Sequence, residues 1–133
     1  MWYPTPNLSE GEIYQGLEKL LAKGQLIELK WDCGGDQAIV YLTEACEELR
    51  HTHPELMEAL TLHIMNRLNL PDVGEFSMVG SGKIEWVDDD MVIVFKSIMK
   101  GYEDYDPNTH KYLGYKETNE IDPSYTGEKK LFN

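Results

Sequence analysis

Residues 83–99 read KIEWVDDDMVIVFKSIM. Met91, Ile93 and Phe95 alternate with Val92 and Val94, so a strand built from this run carries apolar side chains on both faces. Such a strand belongs near the middle of a sheet covered on both sides, or at an interface. Asp88, Asp89 and Asp90 form a polar hairpin turn that joins it to a preceding strand over 83–87. A further strand is expected over 75–79.

Upstream, residues 25–43 read QLIELKWDCGGDQAIVYLT. Two runs rich in β-branched and aromatic residues, 25–31 and 37–43, flank Asp32-Cys33-Gly34-Gly35-Asp36, whose paired glycines permit a tight reversal. This predicts a hairpin. Before it, Ser9-Glu10-Gly11-Glu12 has the form of a capping box, and Ile13, Leu17, Leu20 and Leu21 mark one apolar helical face that ends at Gly24. A first helix is therefore expected over 10–23. Thr52-His53-Pro54-Glu55 supplies a second capping box, followed by Leu56, Leu60, Ile64 and Leu68, so a second helix runs to Asn69 and is stopped by Pro71. Residues 44–50 form a separate helical turn or a strand-to-helix connection.

Beyond residue 100 the character changes. Tyr102, Tyr105, Tyr112, Tyr115 and Tyr125 stand among polar residues and glycines, and Asp106-Pro107-Asn108-Thr109 is a good type I turn between ribbon strands 101–105 and 111–117. The expected organisation is a compact domain over 1–100 and a Tyr-rich extension over 101–133, docked on that domain or on a partner. The fold class is α+β: an antiparallel sheet of about five strands with two helices packed on one face.

Two stretches carry a resemblance. Trp31-Asp32-Cys33-Gly34-Gly35-Asp36, and Gly74-Glu75-Phe76 leading through Gly80-Ser81-Gly82-Lys83-Ile84 into paired strands, resemble a bacterial and mobile-element family of unknown function over about the first hundred residues. That family usually carries Ser after its Gly-Asp pair and Gly-Trp-Glu where this chain has Gly74-Glu75-Phe76. The resemblance implies an α/β architecture and no particular chemistry.

Composition narrows the function classes. Among the 133 residues, 24 acidic against 12 basic side chains give a formal charge of −12, which repels phosphate backbones and favours encounter with basic surfaces. Direct nucleic-acid binding is disfavoured. Cys33 and Cys46 have neither framework nor zinc-knuckle spacing, which predicts reduced thiols and a cytoplasmic location. Neither a leader at Met1-Trp2-Tyr3-Pro4 nor an apolar run of membrane-spanning length is visible, so neither secretion nor membrane association is expected.

Catalytic readings find candidates without geometry. Asp32 and Asp36 on one loop could hold a divalent cation or act as acid and base, with Cys33 beside them, but Asp is also a preferred turn residue. His51, His53 and His63 lack the spacing of a metal site. Asp104, Asp106 and Asn108 open like a calcium loop, yet Thr109 replaces its glycine and Tyr115 its bidentate Glu. Gly80-Ser81-Gly82-Lys83 precedes a strand, not a helix, and so fails as a phosphate cradle. The reading therefore assigns no catalytic residue, no cofactor and no metal.

Surface chemistry points to binding. Glu44, Glu47 and Glu48, with Glu55 and Glu58, gather around the entry of the second helix, and Asp88, Asp89 and Asp90 form a second acidic group. Tyr102, Tyr105, Tyr112 and Tyr115 supply the amphipathic contact area found at interfaces. The expected function is a non-catalytic acidic protein that recognises a basic protein partner, of inhibitor, immunity or anti-defence type and of bacterial or phage origin. The rival classes are a small metal-dependent hydrolase using Asp32, Asp36 and a nearby His, and an assembly subunit that forms a homo-oligomer through the tail.

Overall fold

A computed structural model describes residues 6–72 and 76–133. Glu75, where the third strand is expected to begin, and Gly74 lie outside the described residues.

The first helix, α1 (Glu10–Ala22), starts where the capping box places it: Glu12 N–H donates to Ser9 Oγ at 3.2 Å and Ser9 N–H to Glu12 Oε1 at 3.1 Å. It ends when Gly24 turns left-handed (φ 77°) and Gln25 N–H reaches back to Leu20 O at 3.0 Å. Its apolar face, Ile13, Leu17 and Leu20, is buried. Strands β1 (Glu28–Gly34) and β2 (Gln37–Leu42) form the expected hairpin, but β1 runs on through Asp32, Cys33 and Gly34, so the turn is only Gly35-Asp36 and Asp32 lies in a strand, not on a loop with Asp36. Gly35 and Asp36 both have positive φ (57° and 64°), the left-handed pair of a type I′ turn, which matches the strand twist.

A 3-10 turn (Glu44–Cys46) and a single-turn helix, α2 (Leu49–Thr52), lead into α3 (Pro54–Leu68). The second capping box does not form. Thr52 Oγ1 donates back to Glu48 O at 3.4 Å and so closes α2, while α3 begins directly at Pro54, whose missing N–H has no helical partner to lose. The helix stops at Asn69, left-handed at φ 51°, two residues before Pro71.

Strands β3 (Phe76–Val87) and β4 (Asp90–Tyr105) are longer than the pattern suggests. Gly80 and Gly82 do not break β3; they stay in register opposite Trp31 and Leu29. A Cβ on Gly80 would lie 2.1 Å from Trp31 Nε1, so the glycines leave room for the buried indole, which donates to Ser97 Oγ on β4 at 2.9 Å. Tertiary packing of one aromatic ring thus overrides glycine's turn preference. At the other end of this hairpin Asp88 and Asp89 (φ 49° and 68°) form a second type I′ turn.

All pairings are antiparallel, and the sheet runs β2-β1-β3-β4-β5 (Tyr112–Ile121), with β6 (Gly127–Lys130) also on β4. The class is α+β. β4 runs unbroken through residue 100, so the tyrosine-rich segment begins inside a strand. β5 pairs along 98–105 of β4 and β6 along 92–95. Between them Asp122 N–H donates to Ser97 O at 2.9 Å and Ser97 N–H to Thr126 Oγ1 at 3.0 Å.

The last residues close over α3. Leu131 is fully buried, its carbonyl accepts from His63 Nε2 at 2.6 Å, and Phe132 stacks on the His63 ring at 4.8 Å. Arg67 Nε donates to Lys130 O at 2.7 Å. The hydrophobic core lies between the helices and one sheet face, with Leu29, Trp31 and Cys33 of β1, Met78 and Ile84 of β3, and Met91 and Ile93 of β4. On the opposite face Val92 is buried whereas Val94 is 40% exposed, so only part of the doubly apolar run is covered on both sides. No helix among the described residues is long and apolar enough to cross a membrane.

Candidate partner-binding surfaces

The structure distributes the expected contact residues over three places. Asp88 and Asp89 occupy the β3–β4 turn, where Asp90 pairs with Lys130 at 3.3 Å. Tyr102, Tyr105, Tyr112 and Tyr115 lie at the far end of β4 and on β5. Twelve residues of β4 separate Asp90 from Tyr102, up to about 40 Å at a rise of about 3.3 Å per residue, so the aspartates and tyrosines lie toward opposite ends of that strand. Glu44, Glu47 and Glu48 form the third group, beyond the end of β2.

The tyrosines are not equivalent. All four are exposed, and Leu113 beside them is 58% exposed. Yet the Tyr115 ring lies across Gly101, where a Cβ would come within 2.2 Å of its hydroxyl, so that ring also packs the ribbon. Tyr105 and Tyr112 face each other at 5.4 Å between centroids. Lys116 pairs with Asp104 at 3.8 Å across the same ribbon, and Asp106 accepts from Asn108 N–H (2.8 Å) and Thr109 N–H (3.3 Å) to shape its tip. Asp106 thus does the work of a turn residue.

The acidic group beyond β2 borders a groove. A cavity of about 600 Å³ runs between the outer side of β2 and α3, floored by Val40, Leu42 and Met57 and rimmed by Glu44, Glu47 and Glu58. Two cations, Lys30 and Arg50, also line it, and Arg50 pairs with Glu47 at 3.4 Å. Glu48 does not line it. The register determines which backbone groups face the groove. Thr43 N–H donates to Glu28 O at 3.0 Å, and pairs alternate along the hairpin, so Gln37, Ile39 and Tyr41 bond to β1 while Ala38, Val40 and Leu42 turn their N–H and C=O groups outward. Those outward groups have no hydrogen-bond partner among the described residues. Sequence reasoning missed them because strand order is not written in a hairpin. The one available signal is that 37–42, QAIVYL, contains no charge.

The catalytic candidates are separated by the sheet. Asp32 is exposed on the open face, whereas its neighbour Cys33 is buried on the core face, as alternation requires. Burial pushes the Cys33 thiol up to about 12, with the charges of Asp32 and Asp72 adding to the effect, so it is not a nucleophile at neutral pH. His63 is engaged by the Leu131 carbonyl, while His51 and His53 are exposed, with His53 Nδ1 2.9 Å from Thr52 Oγ1. Cys46 is a fastener: its thiol donates to Glu28 O at 3.1 Å and ties the 3-10 turn to β1. Among the described residues no three His, Cys, Asp or Glu side chains converge as metal ligands.

Comparison of the chain with protein-family models, with curated proteins and with solved structures gave no match.

Proposed function

We propose that this chain is a non-catalytic acidic binding protein that recognises a basic protein surface, as an inhibitor, immunity or anti-defence factor does. One observation carries the reading: the groove beside β2 combines an apolar floor of Val40, Leu42 and Met57 with carboxylates of Glu44, Glu47 and Glu58 at its rim, on a chain of net charge −12. Apolar contact gives such an interface its affinity, and the carboxylates select a cationic partner and speed its approach. The exposed ribbon around Tyr102, Tyr105 and Tyr112 offers a second contact area on the same chain.

The test is affinity capture from an extract of the native host, followed by calorimetry of the recovered protein against the purified chain. The expected partner has a basic surface, and its affinity falls at least tenfold between about 0.05 and 0.5 M salt, because screening shortens with ionic strength. An affinity indifferent to salt, or a partner without a basic surface, overturns the reading.

A further inference from the structure

We infer that β2 is a strand acceptor: an extended segment of the basic partner adds to its outer edge, with lysine or arginine side chains reaching Glu44, Glu47 and Glu58. The inference rests on the reading just given and adds the mode of recognition. Three observations lead to it. The outward N–H and C=O groups of Ala38, Val40 and Leu42 have no partner among the described residues, and strand addition satisfies such groups by main-chain bonds that do not depend on the guest's sequence. β2 also lacks three common guards against pairing: along QAIVYL there is no charge, no proline and no bulge, and Ile39 and Tyr41 are 47% and 44% exposed on its open face. Finally, the groove lies directly along this edge, so alternate side chains of an added strand enter it beside Val40 and Met57 and meet the three carboxylates.

Charge also decides against a second copy of this chain as the guest. Two copies of β2 paired antiparallel about Val40 set Asp36 of each opposite Glu44 of the other, adding like-charge contacts to two bodies of charge −12. A cationic segment meets the same positions with opposite sign.

The experiment uses the full chain and two synthetic peptides about nine residues long, one alternating lysine with valine and one alternating threonine with valine. Amide exchange is followed residue by residue. The lysine peptide is expected to slow exchange at Ala38, Val40 and Leu42 at least tenfold and to leave the β5 amides unchanged. The threonine peptide has a far smaller effect. Val40→Pro removes an outward N–H without breaking a bond to β1 and abolishes binding, while Glu44→Gln with Glu58→Gln weakens it. The protection measured on the unmodified chain stands whether or not the proline variant folds.

Binding of the lysine peptide with no protection at these three amides, or undiminished in a folded Val40→Pro chain, overturns strand addition and leaves the charge-based reading in place. Equal protection by both peptides overturns the basic guest. Protection that rises with protein concentration in the absence of peptide, together with a doubled mass, overturns the inference in favour of self-pairing. No binding of the lysine peptide at all overturns it outright.

Discussion

At one edge of the sheet, β2 presents an uncharged row of mostly apolar residues and the outward backbone of Ala38, Val40 and Leu42, which has no partner among the described residues. At the other, β5 carries Lys116, Glu117 and Glu120, its pairing with β4 shifts register twice, and β6 below it reads Gly127-Glu128-Lys129-Lys130. Charges and bulges are the usual means by which a sheet edge refuses further strands. One sheet therefore has a guarded side and an unguarded one. The guarded side is also where the chain ends, with Leu131 in the core and Phe132 against His63, so the tail serves as structure there. The unguarded side is held by a hairpin and a groove.

The largest test of this contrast is to remove the guarded edge. Deleting residues 101–133 cuts β4 short, strips β5 and β6 from it and takes Leu131 out of the core. A freshly exposed outer edge of β4, with Ile93 and Phe95 along it, is expected to aggregate rather than give a folded monomer. Circular dichroism and light scattering report the outcome. A folded monomeric fragment 1–100 would show that the tail is an appendage and break the comparison.

Point changes at matched glycines measure how rigidly each edge is held. Gly34 precedes the β1–β2 turn with φ 142°, and a Cβ there would lie 2.0 Å from the Phe76 carbonyl oxygen, which is backbone and cannot step aside. Gly34→Ala is expected to cost about 3 kcal/mol or more, strain and clash together. Gly101→Ala meets the Tyr115 hydroxyl instead, on a ring that is 48% exposed and able to swing into solvent, so its cost is expected to be nearer 1 kcal/mol. Urea unfolding of both variants ranks them. Equal losses would mean that Tyr115 is as fixed as the backbone, and that the ribbon is part of the rigid sheet.

What could be read from the sequence was local. Ser9 with Glu12, Gly24, Asn69 before Pro71, Gly35-Asp36 and Asp88-Asp89 each act within a few residues; the long helices they bound stand where expected, while β1, β3 and β4 run beyond the expected strands. The α+β class and the antiparallel sheet follow from those elements. Gly80 and Gly82 could not be placed, because what keeps them in a strand is Trp31, about fifty residues earlier in the chain. Nor could β6, four exposed residues with no apolar pattern, held by pairing with 92–95 of β4 and by the burial of Leu131. The site divides in the same way. The acidic and tyrosine residues were visible as composition, but their distribution over three places, and the edge position of β2, depend on strand order. Thr52 shows that a local signal can also mislead: the box it heads competes with the preceding turn, and the turn wins.

The effect that is invisible at neutral pH concerns Cys33, whose backbone lies between Ala38 of β2 and Met78 of β3. Its thiol is raised from an ordinary 9.0 to about 12, first by burial and then by the charges of Asp32 and Asp72. The folded chain therefore holds this proton more tightly than the unfolded chain does. The resulting stability is fully present below about pH 9, and it is lost as the pH rises from there toward 12, at a slope approaching about 1.4 kcal/mol per pH unit. Cys33→Val keeps the side chain apolar and removes the titration, so the difference in unfolding free energy between the two proteins should change with that slope above pH 9 and stay flat below it. Tyr125 is also raised, first by burial and then by the charges of Asp122 and Cys33, so Cys33→Val relieves part of that shift and the measured difference includes this smaller contribution. Amide exchange at pH 10 then reads which side gives way. Ionising a thiol beneath the hairpin is expected to loosen Cys33 to Ala38 before the β4–β5 ribbon, and exchange that starts in the ribbon would place the weak side of the sheet at its guarded edge.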